Sequence, residues 1–202
     1  MHSNSKTLIR ETYHRDNVHN STIQSSVKNR INNITTRTDL PKFDKDELYK
    51  MIINDNIISI DSEWNPDGLS SSISIVQIGT ITNVYIIDML NTTEIIKERL
   101  YALLQNCDVI KLCFGLDEAE CFRIGSNIIN VVDIQEISND IYSSGKLSLA
   151  HLTALMLNKK LNKSKEYQAG NWNIRPLTDE QMIYASNDVS VLLDIYDVMP
   201  KV

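Results

Sequence analysis

The chain has 202 residues, 42% hydrophobic and 23% charged, the size and balance of one soluble domain with a tail. A net charge of −6 excludes a general electrostatic sponge for nucleic acid, and three unevenly spaced cysteines exclude a disulfide framework. No apolar run approaches the roughly 18 residues of a membrane helix, and Met1–Arg10 lacks an apolar signal core, so the expectation is an intracellular, reducing compartment with no membrane partner.

Residues 1–42 are crowded with Ser, Thr and Asn and show no sustained hydrophobic period. Seven Lys/Arg against three acids make this stretch +4, which leaves −10 for residues 43–202. It reads as a basic, disordered tail that cannot bury enough apolar surface to offset its ordering entropy. Such a tail is either passive or an arm for phosphates or a partner. The domain proper is expected over 43–202.

Within that domain the spacing predicts a helix over 44–54. The β-branched run Ile57–Asp61 predicts a strand. Strands over 72–78 and 84–87 flank a turn at Thr82-Asn83. A helix over 94–106, a strand over 109–114, a helix over 117–124 and a strand over 128–132 follow. Helices over 147–157 and 178–199 complete the chain. Thr178-Asp179-Glu180-Gln181 fits a capping box, with Pro176 just upstream. Three strands come first, then strands alternate with helices. That order predicts an α/β fold with a mixed central β-sheet flanked by helices.

Three acidic groupings carry the chemistry. Asp61 and Glu63 lie at i and i+2 near the end of an apolar strand, so both point to one face, while Ile58, Ile60 and Trp64 share the other. Tyr184 and Asp188 lie at i and i+4 on an amphipathic helix. Lys111 to Glu120 runs from an apolar strand through Gly115 into a helix that begins with acids. Each has a bland reading alone: a strand entering a solvated turn, a surface Tyr–Asp pair, acids complementing a helix dipole. Together they place carboxylates at a strand end and on two helices, where they can converge on a pair of hard cations such as Mg²⁺ or Mn²⁺. Two such ions can clamp the attacking and leaving oxygens of an in-line phosphodiester displacement, with a nearby tyrosine orienting water. Three of the four histidines fall in the tail, so no zinc cluster is visible.

With these residues in place, the stretch from about Ile57 to Met199 resembles the DEDDy 3′–5′ exonucleases, in the branch of RNase D and the Werner-helicase exonuclease domain. The blocks that carry the resemblance are Ile58–Trp64, Ile75–Ile78, Val84–Asp88, Val131–Gln135, Leu147–Leu149, Trp172–Leu177 and Gln181–Asp188. The resemblance implies an RNase H-like exonuclease fold, two divalent metals and hydrolysis from a 3′ end of RNA or DNA to nucleoside 5′-monophosphates. It also implies that Asp61, Glu63 and Asp188 ligate metal and that Tyr184 bonds the nucleophilic water. The family's middle aspartate, about eight residues after the lysine matching Lys111, falls on Ala119. A one-residue insertion puts Glu120 at that acidic position, and Asp117 is the second candidate. Glu is one methylene longer than Asp and reaches a metal or its water shell at altered geometry.

Trp64, Lys163 and Arg175 are candidate substrate contacts. Each also has a structural reading: packing for Trp64, a solvated face for the lysines at 159, 160, 163 and 165, and a turn fixed through carbonyls for Arg175. The irregular middle motif keeps a second reading open, an impaired exonuclease-fold module that binds nucleic acid or a protein. A protein partner could supply helicase or RNA-binding function. Abundant Ile, Asn and Lys point to an AT-rich genome, such as that of a large DNA virus or a protist.

Overall fold

The computed structural model describes residues 34–35, 56–65, 72–142, 145–163 and 165–200. In chain order they form β1 (Ile34–Thr35), β2 (Ile57–Trp64), β3 (Ile73–Gly79), β4 (Val84–Asp88), α1 (Glu94–Leu104), β5 (Ile110–Cys113), α2 (Glu118–Ile124), β6 (Val131–Asp133), α3 (Ile134–Tyr142), α4 (Leu149–Leu157), α5 (Lys165–Gln168) and α6 (Asp179–Val198). The helix expected over 44–54 lies outside the described residues, as does most of the stretch expected to be a tail. Within that stretch Ile34–Thr35 forms β1, which pairs in parallel with β4.

The strands make one sheet in the order β1-β4-β3-β2-β5-β6. β2–β3 and β3–β4 run antiparallel, and β2–β5 and β5–β6 run parallel, so the sheet is mixed. All seven residues of β3 are buried, which requires cover on both faces. On one face Ile58 and Ile60 of β2 pack with Leu100, Leu103 and Leu104 of α1. On the other, Ile75 of β3 and Val84 and Ile86 of β4 pack with Trp172 and with Tyr184, Ala185 and Val189 of α6. Further along α6, Leu192 and Ile195 join Leu149 and Leu152 of α4. The twenty-residue α6 thus lies across β2, β3, β4 and β5 on one face of the sheet.

Helix ends follow the local chemistry. Thr93, Asp117, Ser148 and Thr178 each accept a backbone N–H as N-caps, so the helices begin one or two residues inside some expected ranges. The capping box of Thr178 and Gln181 is complete. Two differences from the sequence expectation stand out. The strand expected over 128–132 forms only over Val131–Asp133, because Asn130 takes the left-handed conformation at φ 57°. Immediately after it comes α3, which the sequence reading lacked. Its Ile134, Ile137 and Ile141 fall at helical spacing and pack in the α6 core. No helix among the described residues is long and apolar enough to cross a membrane.

Candidate active site

β2 positions the first two carboxylates. Its alternation sends Ser59, Asp61 and Glu63 toward α6, and Asp61 and Glu63 pair with Gln77 and Ile75 of β3. The Ser59 hydroxyl donates to the carbonyl of Val189 in α6 at 2.6 Å. Gly79 makes this approach possible: a Cβ there would strike Ser59 Oγ and lie 3.3 Å from Val189. Helix and strand are therefore in close contact where Asp188 sits. One ligand oxygen each of Asp61, Glu63 and Asp188 lies within 4.8 Å of the others.

Tyr184, one turn before Asp188, is buried at the edge of this cluster. Its ring is held by Trp172 and Tyr167, with centroids 6.1 and 5.9 Å away. Trp172 is fixed in turn. Its backbone N–H donates to Asn65 Oδ1 at 2.8 Å and its indole N–H to the Tyr167 carbonyl at 3.1 Å. Asn65, Tyr167 and Trp172 were not singled out as site residues by sequence reasoning. Trp172 opens one of the resemblance blocks, but no spacing signal marks Asn65 or Tyr167, because the three meet only through the tertiary fold.

Three acids at this distance, one buried and two half-buried, repel. Burial, then Asp61 and Asp188, push the Glu63 carboxyl up to about 10. Burial and Asp61 raise Asp188 to about 7, against the pull of Lys163. Burial raises Asp61, opposed by Lys163 and by the Ser62 N–H. The Tyr184 hydroxyl is also driven upward, first by burial and then by Asp188, so it stays protonated at neutral pH. Lys163 enters the same space. Its Nζ lies 2.5 Å from Asp188 Oδ2 and 3.3 Å from the Tyr184 hydroxyl. Asp188 Oδ1 is buried with no hydrogen-bond partner. All the ligand atoms of the cluster are carboxylate oxygens, and Asp188 carries an orphan oxygen. That donor set fits a hard divalent cation such as Mg²⁺ or Mn²⁺.

The middle motif is arranged differently. Asp117 caps α2, its carboxylate accepting the Glu120 N–H at 2.7 Å. Ala119 is exposed and offers no ligand. Glu120 accepts a hydrogen bond from the Ser62 hydroxyl and shares a small cavity with Asp61, Cys113 and Phe114. Burial and Asp61 push Glu120 up to about 7. It flanks the three-acid cluster and is not one of the three.

The remaining candidates take structural partners. Arg175 donates two bonds to Asp88, both at 2.7 Å, and others to the carbonyls of Ser74, Trp172 and Ile174. All five of its N–H groups are used inside the fold, the turn-fixing arrangement. Trp64 follows a bulge after Glu63, packs on the α1 core and carries the Arg123 guanidinium 5.0 Å over its ring. Lys159 pairs with Asp194 at 3.7 Å.

Known proteins resemble this chain in sequence and in fold. A family model described as 3′-5′ exonuclease matches residues 37–202. The chain is 30% identical over 187 residues to an exonuclease mut-7 homolog of Aedes aegypti, a match covering 78% of this chain and 26% of that protein. The chain thus spans about a quarter of that relative's length. Among solved structures, the Aedes aegypti Nibbler EXO domain superimposes with a TM-score of 0.62 at 28% identity, covering 76% of this chain and 83% of that one. Trypanosoma brucei RNase D in complex with RNA U12 gives a TM-score of 0.70 at 20% identity, covering 87% and 65%.

Proposed function

The chain belongs to the DEDDy 3′–5′ exonuclease family and has the RNase H-like exonuclease fold, and from that premise we propose that it shortens RNA or DNA from the 3′ end, releasing nucleoside 5′-monophosphates. In this reading Asp61, Glu63 and Asp188 hold two divalent cations, Mg²⁺ or Mn²⁺, with Glu120 contributing from α2. When bound, the ions supply charge compensation for phosphoryl transfer and make hydroxide accessible near neutral pH. Tyr184 keeps its proton and orients the attacking water by hydrogen bonding, without acting as a base. Lys163, which borders the cluster, and Trp64, which follows Glu63 on β2, meet the 3′-terminal nucleotide. Arg175 serves indirectly, by holding the turn that carries Trp172 against Tyr184. Where a substrate demands helicase or RNA-binding function, we place it on a protein partner.

The observation that supports this reading most is the convergence of three carboxylates, from β2 and α6, beside a protonated tyrosine. A gel tests it. 5′-labelled single-stranded RNA and DNA are incubated with wild type and Asp61→Ala in Mg²⁺, Mn²⁺ or EDTA. The expected result is a metal-dependent ladder shrinking from the 3′ end and absent in the variant. Retarded nucleic acid with no ladder would instead fit the impaired binding module.

A further inference from the structure

Lys163 holds a position that a surface lysine does not. Its ammonium lies 2.5 Å from Asp188 Oδ2, 3.3 Å from the Tyr184 hydroxyl and 5.0 Å from the centroid of the Tyr184 ring. Its side chain is only 19% exposed and that of Asp188 only 1%. The segment that carries it is pinned on both sides of Leu161. Upstream, α4 ends at Asn158 in the left-handed conformation, φ 51°, which redirects the chain. Lys159 then pairs with Asp194, 3% exposed, further along α6. Leu161 packs into the core beneath α6. Two lysines four residues apart thus clasp two buried aspartates of one helix, and only the Lys163 end reaches the three-acid cluster.

Three carboxylates within 4.8 Å of one another, one buried and two half-buried, call for a cation or a proton between them. In this chain an ammonium meets that demand at Asp188 Oδ2, while Oδ1 has no partner. A divalent ion and an ammonium repel strongly at such separations in a buried setting. Resting on the metal-dependent reading of the site, we infer that Lys163 is an internal counter-cation that neutralises the cluster in the metal-free chain and competes with divalent metal for Asp188. Metal loading then requires the ammonium to withdraw, which leaves it at the mouth of the site with its charge free. The competition makes the metal-free fold less dependent on an ion and full loading less tight than the three carboxylates alone would give.

Calorimetric titration of Mn²⁺ into the whole 202-residue chain tests this without reference to nuclease activity. Lys163→Met keeps an unbranched apolar stem, one atom shorter, and removes the charge. The expected result is Mn²⁺ binding at least about fivefold tighter than wild type, the direction set by loss of a nearby positive charge. Lys163→Arg keeps the charge and is expected to stay near the wild-type affinity, and both variants are checked for folding by thermal melts. In EDTA, Lys163→Met is expected to melt below wild type, and Mn²⁺ to raise its melting temperature by more than it raises that of wild type. Mn²⁺ uptake by wild type that is lost in Asp61→Ala tests the metal reading separately. If wild type takes up Mn²⁺ and Lys163→Met binds it no tighter, the counter-cation role is overturned and the metal reading stands. If no form takes up Mn²⁺, both fall.

Discussion

Two walls of the same site differ in how they use their acids. On the β2–α6 side, an eight-residue central strand and a twenty-residue helix each present carboxylates that cap no helix, although Asp61 accepts the adjacent Ser62 N–H at 2.9 Å. Asp61, Glu63 and Asp188 are held in place by packing elsewhere on their elements, so they are left to face one another. On the β5–α2 side, a seven-residue helix spends its acids locally. Asp117 caps it, Ala119 has nothing to offer, and Glu120 is engaged by Ser62. Long, well-buried elements can carry a charge on one face as a spare feature. A short helix at the surface needs its polar side chains to exist as a helix.

That contrast is broken most severely from the β2–α6 wall. Asp188→Asn should cut exonuclease turnover by about 10²–10³-fold, more than the 10–100-fold typical of groups that only support a ligand. Nucleotide release at saturating substrate and metal measures it, and a loss under about tenfold would move the chemistry off α6. Tyr184→Phe comes next, with kcat lower by about 10–100-fold and KM little changed, as expected for a group that orients a reactant. Its stability cost should be no more than about 1–2 kcal/mol, because the aromatic packing with Trp172 and Tyr167 survives.

The β5–α2 wall should respond less. Glu120→Gln keeps an acceptor for Ser62 and removes the charge, and a loss of about 3–10-fold in turnover is expected. Ala119→Asp is the sharper probe, since it supplies an acid where the ungapped count from Lys111 lands, without disturbing the Asp117 cap. It should raise turnover above wild type. An unchanged or lower rate would mean that α2 already contributes all it can through Glu120.

The smallest effect is a pH dependence that separates metal-free from metal-bound protein. Asp188 and Glu120 both sit near 7 in the fold, against about 4 in an unfolded chain. Between those values the native state holds more protons. Their protonated forms therefore favour the fold below about pH 4, and that contribution is lost as pH rises through about 7. In EDTA the melting temperature should fall between pH 5 and pH 8, and saturating Mg²⁺ should flatten or reverse the slope. The same slope with and without Mg²⁺ would show that these acids do not face a metal.

Much of this was legible because it depends on short periods. Asp61 and Glu63 at a spacing of two, Tyr184 and Asp188 at four, and the Thr178–Gln181 capping box are set by backbone geometry alone. The mixed sheet followed from three strands preceding an alternation. What escaped was set by tertiary contact or hidden by abutment. Helix α3 starts directly after β6, so Val131-Val132 read as the end of a strand and masked the isoleucines that follow. There Asp133 serves both elements, accepting the N–H groups of Gly115 and Gln135. Lys163 reads in sequence as a substrate contact or as one of several solvated lysines, since nothing there places it opposite a residue 25 positions away. Arg175 is engaged by Asp88 across 87 residues, and no local pattern announces that.

The central claim is that Asp61, Glu63 and Asp188 form a divalent-cation site. Anomalous scattering from a crystal of the protein grown with Mn²⁺ tests it most directly. The account predicts an anomalous peak in contact with the oxygens of all three carboxylates, with the Lys163 ammonium displaced from Asp188. A protein saturated with Mn²⁺ but showing no peak there, with Lys163 still on Asp188, would contradict it.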